Sequence, residues 1–325
     1  MRDAATLLVG TRSSRLALWQ TDLVASRLQQ VWRGVAIERV TFTTLGDRVP
    51  DVPLPRIGDK GLFTRELEEA LRSGAIDLAV HSLKDLPTDL PQGLVLGAIL
   101  DRADPRDALV AALPVTIDTL PAGARVGTSS LRRRAQLLAR RPDLDVCDLR
   151  GNVPTRVDKV LNGDLDAAVL ALAGLTRLGL SDHVVEVLGT DIMLPAPGQG
   201  ALAIEIRADD ERTAAMVTRL DHRETRLATT AERSLLAELE GGCQVPVGAL
   251  ATFTSAGVMS LEGLVIDLDG RTAVRRTVEA PVADHSSASA LGTAVVAGLR
   301  AAGADAILAR VRQALPAQSW NPPES

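Results

Sequence analysis

The chain has 325 residues, 46% hydrophobic and 24% charged, with a formal net charge of −5, which predicts a globular protein of two or three domains with sizeable cores. Three Trp, three Phe and no Tyr leave those cores to Leu, Val, Ile and Ala, and supply no stacking platform for single-stranded nucleic acid. Two cysteines, Cys147 and Cys243, make no disulfide framework, four scattered His give no metal-ligand spacing, and no run approaches the ~18 apolar residues of a membrane span. The first apolar run, 4–10, is too short for a secretory leader, so the expectation is a cytoplasmic protein with no metal, no membrane partner and no nucleic-acid partner.

In chain order, Leu7-Leu8-Val9 reads as a short strand. A helix follows, in which Leu16, Trp19 and Leu23 form a stripe widened by Ala17, Val24, Leu28 and Val31. Ser13 or Ser14 is placed to cap it. Residues 37–44 alternate as a second strand, making a parallel strand–helix–strand unit. Residues 46–61 carry Asp47, Asp51, Arg56 and Lys60 among Gly and Pro; a mobile loop is the plain reading and an active-site lid the functional one. A helix over 62–73 and a buried strand over 76–80 come next, with His81 read as a packed core side chain. The polar turn Ser82-Leu83-Lys84-Asp85-Leu86-Pro87 then lies at a strand's carboxyl end, where ligands sit in open α/β sheets.

Two signatures recur in the same order. Val9-Gly10-Thr11-Arg12-Ser13-Ser14 is echoed by Val126-Gly127-Thr128-Ser129-Ser130, and Ser73-Gly74-Ala75-Ile76-Asp77-Leu78-Ala79-Val80 by Asn162-Gly163-Asp164-Leu165-Asp166-Ala167-Ala168-Val169. The paired order predicts two similar α/β lobes facing one another across a ligand cleft. Crossovers fall near 101–107, where Asp104 and Asp107 read as hinge caps, and near 194–200. A strand over 201–206 is expected to return to the first lobe. The predicted division is 1–100 with 201–218, then 106–194, then a small α/β domain over 222–315, with 316–325 a disordered tail. In that third domain a helix over 229–239 precedes β runs at 247–253, 258–268 and 272–278, and two helices finish it.

Both repeated turns put hydroxyls and free N–H groups at a helix start, which favours an anion. Arg12 sits in the first; Arg132, Arg133 and Arg134 sit in the second, either solvated at the surface or gripping carboxylates or phosphates. Arg150-Gly151-Asn152-Val153-Pro154-Thr155-Arg156 adds two more arginines ahead of another helix. With Lys60 and Lys84, one cleft collects a polyanion site inside an acidic protein. Asp85 is either an ion-pairing turn residue or an acid–base group. Cys243, in Gly241-Gly242-Cys243-Gln244-Val245-Pro246-Val247-Gly248, has glycines that leave room beside its sulfur. No His lies in a comparable turn to activate it as a hydrolase nucleophile, and a two-lobed binding module for a small anion is the non-enzymatic alternative.

Together these motifs resemble the porphobilinogen deaminase (hydroxymethylbilane synthase) family. The resemblance is carried by Thr11-Arg12-Ser13-Ser14, Lys60-Gly61-Leu62-Phe63, His81-Ser82-Leu83-Lys84-Asp85 and Gly127-Thr128-Ser129-Ser130-Leu131-Arg132-Arg133. Arg150-Gly151-Asn152, Pro197-Gly198-Gln199-Gly200 and Gly241-Gly242-Cys243-Gln244-Val245-Pro246 complete it, in family order over about 7–315. It implies two periplasmic-binding-protein-like α/β lobes with a cleft between them, plus a small α/β C-terminal domain. It also implies a transferase of tetrapyrrole (porphyrin, heme) biosynthesis. Such an enzyme joins four porphobilinogen molecules head to tail with loss of ammonia on a dipyrromethane primer, then releases hydroxymethylbilane, acting as a cytoplasmic monomer.

By matching position, the resemblance gives Asp85 the catalytic role and Cys243 the covalent thioether to the dipyrromethane. Lys84, Asp85, Thr128, Ser129, Ser130, Arg132, Arg133, Arg150 and Gly151 would bind that cofactor. Arg12, Ser14, Lys60, Phe63, Asn152, Arg156 and Gln199 would bind substrate. Arg56, where many relatives have Lys, and Asp59, where Gly is usual, are departures: a planar fork does not reproduce a point charge.

Overall fold

The structure is a computed structural model that describes residues 6–44, 64–239 and 245–315. In the first lobe β1 (Thr6–Arg12) leads into α1 (Arg15–Val31), capped by Ser14, whose side chain accepts from the Ala17 N–H. β2 (Ala36–Phe42), α2 (Arg65–Arg72), β3 (Leu78–Ser82) and β4 (Leu94–Ile99) follow. The chain then crosses to the second lobe. There β5 (Asp107–Ala111), β6 (Arg125–Gly127), α3 (Leu131–Arg140), β7 (Asp145–Cys147), α4 (Val153–Leu161), β8 (Ala167–Ala171), α5 (Leu172–Arg177) and β9 (Val184–Val187) build a second sheet. β10 (Leu202–Arg207) crosses back and pairs antiparallel with both β3 and β4.

The two sheets have one plan. Their orders are β2-β1-β3-β10-β4 and β7-β6-β8-β5-β9. In each, three parallel strands are followed by an antiparallel strand that has just arrived from the other lobe. The repeated signatures explain why. A Cβ on Gly10 would lie 2.3 Å from Ile76, and one on Gly127 would lie 2.6 Å from Leu165, so in both lobes the glycine of one signature is packed by the aliphatic of the other. Asp77 accepts from the Leu8 N–H at 2.8 Å and Asp166 from the Arg125 N–H at 2.7 Å, again at matching positions.

α6 (Glu211–Val217) packs back on the first lobe, with Val217 in the same core as Leu202 and Ile206, and the third domain opens with α7 (Arg223–Glu238). It is an antiparallel sheet of β11 (Val247–Ser255), β12 (Val258–Ile266) and β13 (Ala273–Pro281), packed by α7, α8 (His285–Ala301) and α9 (Ala304–Ala314). α7 starts six residues before the 229 expected from its apolar pattern, because His222 caps it through the Thr225 N–H. The wedge between this domain and the second lobe is apolar, with Ala135 and Leu194 against Leu264 and Ile266. Among the described residues no single helix is long and apolar enough to cross a membrane.

Candidate active site

Most of the predicted site residues that the structure describes follow the carboxyl ends of β1, β3, β6 and β7. On the first lobe, Arg12, Ser14, Gln20, Ser82 and Asp85 line one pocket together with Thr64 and His81. Gln20 donates to Ser82 Oγ at 2.9 Å, which ties α1 to the end of β3. Asp85 is exposed on a short 3-10 turn, and Lys84 beside it is half-buried. His81 is a buried side chain, its Nε2 3.1 Å from Glu205 on β10.

The second lobe supplies the opposite wall. Thr128 is buried, Ser129 Oγ donates to the Leu149 carbonyl at 2.9 Å, and Ser130 caps α3 by accepting from the Arg133 N–H. Gly151 sits at φ 111°, a left-handed value that suits glycine, and Asn152 caps α4 by accepting from the Thr155 N–H at 3.0 Å. Arg156 folds back to donate from Nε to the Gly151 carbonyl at 2.7 Å.

Arg132 and Arg133 are 4% and 6% exposed, which rules out a solvated surface run for them. Their partner is Asp107. Arg132 Nη1 donates to one carboxylate oxygen at 2.8 Å; Arg133 Nη2 and Nε donate to the other at 2.7 and 3.1 Å. Both also reach carbonyls, of Leu194 at 2.7 Å and Val169 at 3.0 Å. The hinge-cap reading of Asp107 is therefore corrected. Asp104 does bond the Arg106 N–H at 2.9 Å as a turn cap would, but Asp107 is the first residue of β5 and fully buried. Burial alone would push its carboxyl up; the two guanidiniums hold it far below the usual carboxylate range.

The charges of the two lobes sense one another. Burial lowers Lys84 to about 8, with Arg133 and Arg132 adding to the effect and Asp85 and Asp107 opposing it. Burial likewise lowers Arg156 to about 10, helped by Arg133 and Arg150 and countered by Asp85. The Lys84–Asp85 turn of one lobe is joined to the arginines of the other by bonds as well, since Gln199 accepts from Lys84 and donates to the Asp107 carboxylate that Arg132 and Arg133 also hold.

The second crossover runs under this gap. Gln199, 1% exposed, accepts from Lys84 Nζ at 3.2 Å and donates to Asp107 at 2.9 Å and to the Pro105 carbonyl at 2.6 Å. The Gly198 N–H donates to Glu232 of α7 at 2.7 Å. Glu232 is entirely buried, takes both Nη groups of Arg102 at 2.6 and 3.0 Å, and accepts from the Ala251 N–H at 2.9 Å. Gly200, at φ 91°, passes so close to the other crossover that a Cβ would lie 2.4 Å from the Ala103 carbonyl. Sequence reasoning gives Asp107 only the role of a hinge cap and does not single out Arg102 or Glu232. The available signals were slight: an acid heading an otherwise apolar strand, and an acid four residues from Ala228 on the apolar face of α7.

Lys60, Phe63 and Cys243, like Arg56, Asp59 and the tail 316–325, lie outside the described residues. The strand that follows Cys243 is placed: the Ala249 N–H donates to the Pro195 carbonyl at 3.0 Å, and Gly248 packs on Leu194, whose carbonyl is also Arg132's acceptor.

Two lobes on one plan, a lysine linked through Gln199 to the arginines of the other lobe, and a third domain packed beside them define a three-domain α/β protein with cations gathered where its lobes meet. The match to known families is specific. Residues 7–215 match the model for the porphobilinogen deaminase dipyrromethane cofactor-binding domain, and 226–301 that for the porphobilinogen deaminase C-terminal domain. Porphobilinogen deaminase of Syntrophotalea carbinolica is 50% identical over 307 residues, 94% of this chain and 96% of that one. That of Pelotomaculum thermopropionicum is 51% identical over 307 residues, 94% and 97%. The periplasmic aliphatic sulphonate binding protein SsuA of Escherichia coli aligns at a TM-score of 0.40 and 16% identity, covering 99% of this chain and 96% of that one. The chain belongs to the porphobilinogen deaminase family.

Proposed function

We propose that this chain joins four porphobilinogen molecules head to tail, releasing one ammonia per addition, and frees the product as hydroxymethylbilane by hydrolysis. The observation that carries the reading is the linkage of Lys84, beside Asp85 on its turn, through Gln199 to Asp107 and so to the buried Arg132 and Arg133 of the other lobe. Every porphobilinogen unit brings an acetate and a propionate, so a growing chain is a polyanion. Buried, pre-oriented cations suit it, because hydrogen bonds between charged partners are the strong ones.

The same cations fit the family's dipyrromethane, which bears four carboxylates and, when bound, supplies the pyrrole carbon that attacks. Lys84, Ser129, Ser130, Arg132, Arg133, Arg150 and the backbone at Gly151 would hold it, with Thr128 behind them. Cys243 would anchor it, its flanking glycines leaving room for the attached group. Arg12 and Ser14, in the pocket that includes Asp85, would orient the incoming porphobilinogen, with Arg156, Asn152 and Gln199 opposite and Lys60 and Phe63 at the entrance.

Asp85 is the catalytic residue of this reading. A carboxylate in the pocket stabilises the positive charge that develops on the pyrrole nitrogen as ammonia departs. It also carries a proton between the aminomethyl group and the ring positions that exchange it. The enzyme is proposed to act as a cytoplasmic monomer, checked by light scattering.

Intact-protein mass spectrometry tests the reading. The purified chain is expected to carry a mass excess of two linked pyrrole units that Cys243→Ser abolishes. An active preparation in which Cys243 is unmodified and alkylates freely would overturn it.

A further inference from the structure

The cleft depends on a residue that no step of the reaction uses. Asp107 receives four side-chain donors: Arg132 Nη1 on Oδ2, and Arg133 Nε, Arg133 Nη2 and Gln199 Nε2 on Oδ1. It is fully buried, so it cannot itself touch a ligand held in the gap. Its neighbours are the groups proposed to do so. The bonds extend beyond the second lobe, because Gln199 turns its amide oxygen to Lys84 Nζ on the first.

We propose that Asp107 is the positioning residue of the anion site, a buried carboxylate that orients the guanidiniums of Arg132 and Arg133 and, through Gln199, holds the ammonium of Lys84 between the lobes. Three cations gathered for a polyanion repel one another until the ligand arrives, and an interior anion offsets that repulsion without occupying the ligand's place. The charged groups facing Lys84 are Asp85 on its own turn, Arg132 and Arg133 on α3, and Asp107 on β5. Those facing Asp107 are the same two arginines, with Lys84 one amide away.

A neutral amide at this place cannot serve. In Asp107→Asn one of the two acceptor atoms becomes a donor, directed at Arg132 or at the Arg133–Gln199 side. Both guanidiniums lose their counter-charge, and Lys84 keeps the neighbours that disfavour its ammonium while losing one that favours it.

The chain contains three lysines, Lys60, Lys84 and Lys159, which makes Lys84 directly observable. Reductive 13C-methylation of the protein as purified gives few amine signals, and the one absent from Lys84→Arg is Lys84. In Asp107→Asn that signal is expected to titrate about one pH unit lower than in the unaltered chain. The alkaline limb of porphobilinogen turnover should move down with it. A folded Asp107→Asn protein whose Lys84 titration and turnover profile are unchanged overturns the proposal. Should that variant not fold, Arg133→Gln decides: removing a like charge while Asp107 remains should move Lys84 to higher pH, and no movement or a downward one overturns it. The anion role of the arginines rests on the function proposed above. The Lys84 titration does not, so the two can fail separately.

Discussion

Glu232 offers the sharpest test of how the three bodies are held. Its carboxylate is wholly buried and accepts from Arg102, from the Gly198 N–H and from the Ala251 N–H, which belong to the two crossovers and to the third domain. Glu232→Gln keeps the shape but removes the charge facing Arg102, itself only 11% exposed in its side chain. It also replaces one of two acceptors with an N–H that must face another donor. Removing one partner of a buried ion pair costs about 3–5 kcal/mol, most of it the uncompensated charge left behind. For cooperative units of this size that corresponds to a fall in Tm of about 6 °C or more. Differential scanning calorimetry reads it, and the double variant Arg102→Met/Glu232→Gln should be less destabilised than the sum of the single changes. A Glu232→Gln protein melting within about 2 °C of the parent would refute the reasoning.

Asp85→Asn is expected to lower porphobilinogen turnover by roughly 10²-fold or more, the scale of a lost acid–base group, while the mass excess on the protein remains; near-normal turnover removes Asp85 from catalysis. Glu68, 7% exposed on α2, has its carboxyl raised, first by burial and also by Glu205, with Thr64, His81 and Arg72 opposing. A carboxyl whose folded value lies above its unfolded one contributes stability at low pH that is lost as pH rises through the folded value. Glu68→Gln should therefore change Tm more favourably at pH 8 than at pH 5, and melting curves showing an equal or opposite difference would contradict it.

Local features of this fold were legible because local physics determines them. Ser14 and Asn152 cap helices where a short acceptor precedes an apolar period, and the paired Gly and aliphatic signatures mark two lobes because each pair must pack together. The collection of cations was also readable, since Arg12 closes β1, Lys84 follows β3, and Arg132 and Arg156 lie in the first turns of α3 and α4. Their neutralisation was not. Asp107 lies 25 residues from Arg132 and 92 from Gln199, and in a stretch reading Asp-Pro-Arg-Asp it looks like any turn acid. Glu232 meets Arg102 from 130 positions away. Partners assembled by chain reversal over such distances leave no periodicity for a sequence to display.

The segment 194–200 bonds to all three bodies: to the first lobe through Lys84, to the second through Arg132 and Asp107, and to the third through Glu232 and Ala249. Parting the lobes would therefore break bonds to Lys84, Asp107 and Glu232 together, so one short segment makes the separation of the lobes and their hold on the third domain a single event rather than two.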